Sequence, residues 1–221
     1  SGFKAVAHFL ADTLGRGQST EIFETLWGEF ERGNRTQTFN ATLSTLGLET
    51  DDQAIRSLVR VYRNHKPNLR LGLDTRGLLK SLKPIFKMGL LTDGYLPSQK
   101  LKVRALKLEK WFEAILYTEQ LGREFWKPSP RGFERLMDIM KCPAEEMAYV
   151  GDNPTKDFLA PNQLGWTTIQ VLRPARIHVH VASPNPLAAA HHLLDDLTAL
   201  PTLLEDLAGQ IRDQRTPSHT S

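Results

Sequence analysis

Apolar residues recur at helical spacing through the first third of this chain and gather into short continuous runs through the rest, and that change of rhythm divides it. Phe3 to Phe9 reads as a short buried strand, followed by a polar linker at Gly15-Arg16-Gly17-Gln18. From Ser19 or Thr20, either a plausible N-cap, the residues Ile22, Phe23, Leu26, Trp27 and Phe30 line one face of an amphipathic helix. A second helix is predicted over 36–46 with Phe39, Leu43 and Leu46 on one side and Gly47 as its stop. A third begins at Asp51 or Asp52, carries Ile55, Leu58, Val59 and Tyr62, and ends before Pro67.

From about residue 72 helices and strands alternate. Helix 75–82 leads to strand 85–91, helix 97–107 to strand 113–117, helix 130–141 to strand 147–151, and helix 155–164 to strand 167–172. Strands alternating with helices imply a parallel sheet covered on both faces, with ligands bound beyond the carboxyl ends of the strands. The leucine-rich region from Leu187 is predicted to be helical, closing the core with an interruption at Pro201, and 208–221 to fray. The expected organisation is therefore an α/β core from 1–16 and 72–207, a helical segment at 17–71, and a flexible tail at 208–221.

A chain of 221 residues with 40% apolar content can bury such a core. The 28 basic and 25 acidic residues leave a mixed surface of net charge +3, with no basic run of the kind that nucleic-acid binding needs. The single cysteine, Cys142, rules out an internal disulfide and favours the cytoplasm; a buried or semi-buried thiol is the expectation over a reactive one. No apolar run reaches the roughly 20 residues of a membrane span. The opening Ser1-Gly2-Phe3-Lys4 lacks a secretory layout, and the missing initiator Met suggests trimming or excision from a longer chain, hence association with or fusion to another domain. Trp111, Phe112, Phe125 and Trp126 are expected to pack the core.

Three segments carry chemistry. Tyr149-Val150-Gly151-Asp152-Asn153-Pro154-Thr155-Lys156-Asp157 places two carboxylates five residues apart after an apolar strand, where Asp152 could ligate a hard cation such as Mg²⁺. Its plainer reading is a turn at Asn153-Pro154 with Asp157 as an early-helix carboxylate. Leu90-Leu91-Thr92-Asp93-Gly94 ends a strand in a hydroxyl and a turn, so Thr92 and the backbone N–H groups of Asp93 and Gly94 could hold a phosphate. Trp126-Lys127-Pro128-Ser129-Pro130 sets Lys127 just ahead of a helix, where it could neutralise phosphate charge. His178 with His180, on one face if extended, and His191-His192 near an expected helix start are weaker metal candidates.

In order and spacing these segments resemble the haloacid dehalogenase superfamily, whose members are mostly phosphatases. The resemblance covers Phe3 to about Leu200, including Tyr117-Thr118-Glu119, Leu121-Gly122-Arg123-Glu124 and Gly165-Trp166. It implies a doubly wound parallel sheet with a Rossmannoid core and a small inserted α-helical cap, with Thr92, Lys127, Asp152 and Asp157 as its site, Asp152 as the metal ligand and Mg²⁺ as the cofactor. That family opens on a strand ending in D-x-D-x-T. Anchored on Thr13-Leu14, the matching segment here puts Phe9 and Ala11 at the two aspartate positions. A phenyl ring cannot attack phosphorus, and alanine cannot protonate a leaving group. The resemblance therefore implies a catalytically impaired phosphate-binding or regulatory module, with a small phosphorylated molecule as its ligand; the alternatives are an active Mg²⁺-dependent phosphatase working by another route and a scaffold that binds nothing.

Overall fold

The computed structural model describes residues 1–15, 19–173 and 181–215 in two units, one of residues 1–70 and 95–106 and the other of 71–94 and 107–215. The first unit is helical: α1 (Gly2–Leu14), α2 (Ser19–Glu31), α3 (Thr38–Thr45), α4 (Asp52–Asn64) and, beyond the excursion into the second unit, α6 (Ser98–Leu106). Val6, Ala7, Leu10 and Ala11 from α1, Ile22 and Leu26 from α2, Leu43 from α3 and Leu58 from α4 form its core. Asp51 caps α4, its carboxylate accepting from the Ala54 N–H. Gly47, at φ +67°, ends α3 as its sequence position implies.

The N-terminal segment overturns one expectation. Residues 3–9 are not a strand but the middle of α1. The helical signal was present: Phe3, Val6, Ala7, Leu10 and Leu14 fall at i, i+3, i+4, i+7 and i+11, and Gly15 closes the helix in the left-handed region at φ 60°. Residues 1–15 therefore belong with the helical unit, not with the α/β core. So does the predicted 97–107 helix, which packs with α4; the Ser98 hydroxyl donates to the Arg63 carbonyl and the Arg63 guanidinium stacks over the Tyr95 ring.

The second unit holds α5 (Leu73–Leu82), β1 (Gly89–Thr92), β2 (Ala114–Tyr117), α7 (Arg131–Met140), β3 (Ala148–Gly151), α8 (Leu159–Gln163), β4 (Thr167–Val171), β5 (His192–Leu194) and α9 (Leu200–Arg215). Every strand pairing is parallel, as the alternating pattern required, but the strands form two sheets, β1-β2 and β3-β4-β5. Leu91 of β1 lies opposite Leu116 of β2, and Val150 of β3 opposite Ile169 of β4.

Shared layers join the two sheets. On one side Phe133 and Leu136 of α7 pack with Leu91, Leu116 and Trp166, and the Phe133 ring meets Tyr149 edge-on at 5.0 Å. On the other, Leu82 of α5 and Leu200 of α9 bury Ile169 of β4, with Phe86 and Met88 beside them.

The tail departs from expectation in three ways. His192 begins strand β5 rather than standing near a helix start. Pro201 sits in the first turn of α9, where a missing N–H is harmless, so it opens the helix instead of interrupting it. That helix runs on to Arg215, which pairs with Glu145 and Glu146, so residues 208–215 are helical rather than frayed. Trp111, Phe112, Phe125 and Trp126 are half-buried rather than core residues. No helix among the described residues is long and apolar enough to cross a membrane.

Candidate functional site

The carboxyl ends of β1, β2 and β3 and the loops that follow them hold the candidate residues. Parallel strands end on one side of a sheet, so residues distant in sequence are delivered together.

Asp93, directly after β1, ties these ends to one another. Its carboxylate accepts from the Thr118 hydroxyl at 2.8 Å and from the Lys127 backbone N–H at 3.2 Å, while the Lys156 ammonium stands 3.7 Å away. Thr118 directly follows β2, is fully buried, and also lies 3.3 Å from the Thr92 carbonyl. The Asp93 side chain is therefore a strut, a role separate from the phosphate-binding one expected of its backbone N–H.

Lys127 reaches across to the β3 loop. Its ammonium donates to Asp157 Oδ1 at 2.7 Å and to the Tyr149 hydroxyl at 2.9 Å, and the Lys127 and Asp157 side chains are only 9% and 4% exposed. Burial alone would lower the ammonium's pKa, but Tyr149 and Asp157 outweigh it and hold the group above the ordinary lysine value. The Tyr149 hydroxyl is pushed up to about 12, chiefly by burial, so it stays protonated at neutral pH.

The loop after β3 keeps the turn of the plainer reading and departs from it at Asp157. Asn153 forms a turn with its side-chain oxygen accepting from the Thr155 N–H at 3.1 Å and the Thr155 hydroxyl at 2.8 Å. Asp157 is no early-helix residue, since α8 starts two positions later. It is a buried carboxylate that accepts from the Asn153 N–H at 2.9 Å as well as from Lys127. Asp152, at the end of β3, is exposed.

Lys127, Asp157, Asp93 and, through Thr118, Thr92 thus come together. Phe9 and Ala11 do not stand at aspartate positions, because their segment is helix: Ala11 is buried in the helical core and Phe9 is 38% exposed, beside a cleft of about 370 Å³ with Ser57, Arg60, Val61 and Asn64. His178 and His180 lie outside the described residues. His191 is occupied, its Nδ1 accepting from the Thr168 N–H at 3.1 Å.

The fit to magnesium is partial. Asp152 is one exposed carboxylate of suitable chemistry, but Asp93 and Asp157 are committed to other partners, and the described residues hold no group of three potential ligands. The residues present do not make a self-contained magnesium site. Cys142 at the end of α7 is half-buried, and burial with Glu146 nearby pushes its thiol up, away from a reactive thiolate.

Three participants went unread in the sequence: Thr118, Tyr149 and Lys156. Thr118 repeats the signal that marked Thr92, a hydroxyl immediately after an apolar parallel strand. Tyr149 and Lys156 lie inside the segment that drew notice for its carboxylates, and no local pattern separates them from ordinary strand and turn residues.

Comparison with known proteins follows the same outline. The Haloacid dehalogenase-like hydrolase family profile matches residues 20–171, beginning beyond α1. A glyceraldehyde 3-phosphate phosphatase of Methanopyrus kandleri is 28% identical over 63% of this chain and 60% of its own length. A phosphoserine phosphatase of Thermus thermophilus is 33% identical over 82% and 72%. The mouse N-acylneuraminate-9-phosphatase is 25% identical over 61% and 52%. The chain thus spans less than two thirds of the archaeal and mouse relatives' lengths. Among solved structures, a phosphatase from Thermococcus onnurineus matches at a TM-score of 0.58 and 21% identity over 91% of this chain and 87% of its own. YfnB of Bacillus subtilis, in a magnesium-bound form, matches at 0.63 and 21% over 92% and 91%.

Proposed function

The chain belongs to the haloacid dehalogenase-like hydrolases, and from that premise we propose that its α/β unit binds the phosphate of a small phosphorylated ligand through Lys127, the Thr92 hydroxyl and the backbone of Asp93 and Gly94. The observation that carries this reading is the state of Lys127. It is a buried ammonium, charged at neutral pH, with two of its three protons bonded to Asp157 and Tyr149. Among the described residues the third meets no acceptor, which leaves it to an anion, and a charge-assisted bond in a water-poor setting is worth more than one at the surface.

Binding without turnover is the first form of the proposal. Asp93 and Asp157 each accept on both carboxylate oxygens, and donors on both oxygens lower a carboxylate's nucleophilicity. Catalytic impairment therefore rests on the commitment of these carboxylates and no longer on Phe9 and Ala11.

Turnover is the second reading, favoured by the phosphatase names of the relatives. It gives Asp152, the exposed carboxylate of the set, a direct part in the reaction.

One experiment separates them. Phosphate release from a panel of phosphomonoesters with Mg²⁺ is measured beside Asp152→Asn, and inorganic phosphate binding is measured by calorimetry beside Lys127→Met. Phosphate binding that Lys127→Met abolishes, without release, supports the first reading. Release that disappears in Asp152→Asn establishes the second, and absence of both binding and release overturns the proposal.

A further inference from the structure

We propose that Tyr149 is a positioning residue for the anion site: its hydroxyl fixes the rotation of the Lys127 ammonium so that the proton not taken by Asp157 or Tyr149 is presented to phosphate. This inference rests on the reading of Lys127 as the phosphate-binding cation.

An ammonium on a four-carbon stem is a rotor with three donors and no preferred direction. One partner fixes one N–H direction and leaves the other two free to swing about it. A second partner stops that rotation. Asp157 Oδ1 at 2.7 Å is the first partner and the Tyr149 oxygen at 2.9 Å the second. The tyrosine oxygen accepts from Lys127 and its hydroxyl donates toward Asp157 Oδ1, oxygen to oxygen 3.5 Å, so the three groups close a triangle.

The tyrosine is itself fixed. Its ring is held edge-on by Phe133 at 5.0 Å and by Phe158 at 6.5 Å, and it belongs to β3, so neither ring nor backbone can follow a wandering lysine. Burial keeps the hydroxyl protonated, so it both accepts from Lys127 and donates toward Asp157 at any physiological pH. A phenylalanine at this place would supply the same packing. The hydroxyl is the part that packing does not account for.

The test is Tyr149→Phe in the full chain, read by two probes. Inorganic phosphate affinity by calorimetry is expected to fall roughly 10- to 150-fold, the weight of one hydrogen bond to a charged group. Nitrogen-detected NMR of the Lys127 ammonium is expected to show a slowly exchanging signal in the wild type that broadens in the variant. A loss of ring packing alone would not move this second signature. Unchanged affinity together with an unchanged ammonium signal overturns the inference and leaves the phosphate reading intact. Absence of phosphate binding in the wild type overturns the phosphate reading and, with it, the role given to Tyr149. Should the variant not fold, the wild type suffices: a nuclear Overhauser contact between the Tyr149 hydroxyl proton and the Lys127 ammonium supports the arrangement, and its absence overturns it.

Discussion

Gly151 lies so close to Asp157 that a Cβ on it would meet Asp157 Oδ2 at 2.8 Å and the Asp157 Cβ at 3.1 Å. The contact cannot be relieved cheaply, because that carboxylate is already held by the Asn153 N–H and by Lys127.

Gly151→Ala is therefore expected to destabilise the chain by about 1–3 kcal/mol, the usual cost of overpacking, and to weaken phosphate binding by displacing Asp157 from Lys127. Urea unfolding and phosphate calorimetry on the same sample check both halves.

Lys127→Met leaves the Asp157 carboxylate buried without its cation and should cost about 3–5 kcal/mol of stability. In Lys127→Met with Asp157→Asn much of that loss should return, since no unpaired charge remains, while phosphate binding stays absent. A double-mutant cycle on unfolding free energies measures the coupling.

Thr118→Val keeps the shape of a fully buried residue and removes the donor to Asp93. The expected loss is about 1.5–3 kcal/mol, as for a hydrogen bond to a charged group, accompanied by faster amide exchange at Asp93 and Lys127 as the strut loosens. Hydrogen exchange resolved by residue provides the check.

High pH should unfold the chain through the same cluster. The folded-state pKa of Lys127 lies above its ordinary 10.5, and that of Tyr149 is raised from 10.0 to about 12. Above the ordinary values the folded chain holds more protons than the unfolded one, so stability falls as pH rises. The contribution is complete below an unfolded-state pKa near 10 and is lost through the folded values. Denaturation midpoints should therefore be flat up to about pH 10 and decline beyond it, less steeply in Tyr149→Phe.

Restoring aspartates at positions 9 and 11 should restore nothing. Both lie on α1, so Phe9→Asp with Ala11→Asp is expected to give no phosphate release above the wild type, while Ala11→Asp alone destabilises by placing a charge in the helical core. A gain in turnover would show that the segment can act as the strand its neighbouring motif suggested.

These outcomes mark what the sequence could and could not disclose. Strand ends at Thr92 and Gly151 and the lysine between them were legible because each follows a short apolar run, and parallel topology then brings such ends together. Phe3–Phe9 misled because alignment on Thr13-Leu14 outweighed a helical period present in the same residues. Neither the burial of Lys127 nor the committed state of Asp93 was legible. Both depend on Thr118 and Tyr149, which lie 25 and 22 residues from their partners, and only the assembled strands reveal such pairs. The short β5, at three residues, carries too little pattern to stand out from its surroundings.

Splitting five parallel strands into a pair and a triplet changes what the backbone offers to its surroundings. A continuous five-stranded sheet has two margins; among the described residues this unit has four, on β1, β2, β3 and β5. Each margin is a row of amide and carbonyl groups at the repeat of another extended chain, and such rows are templates for strand addition.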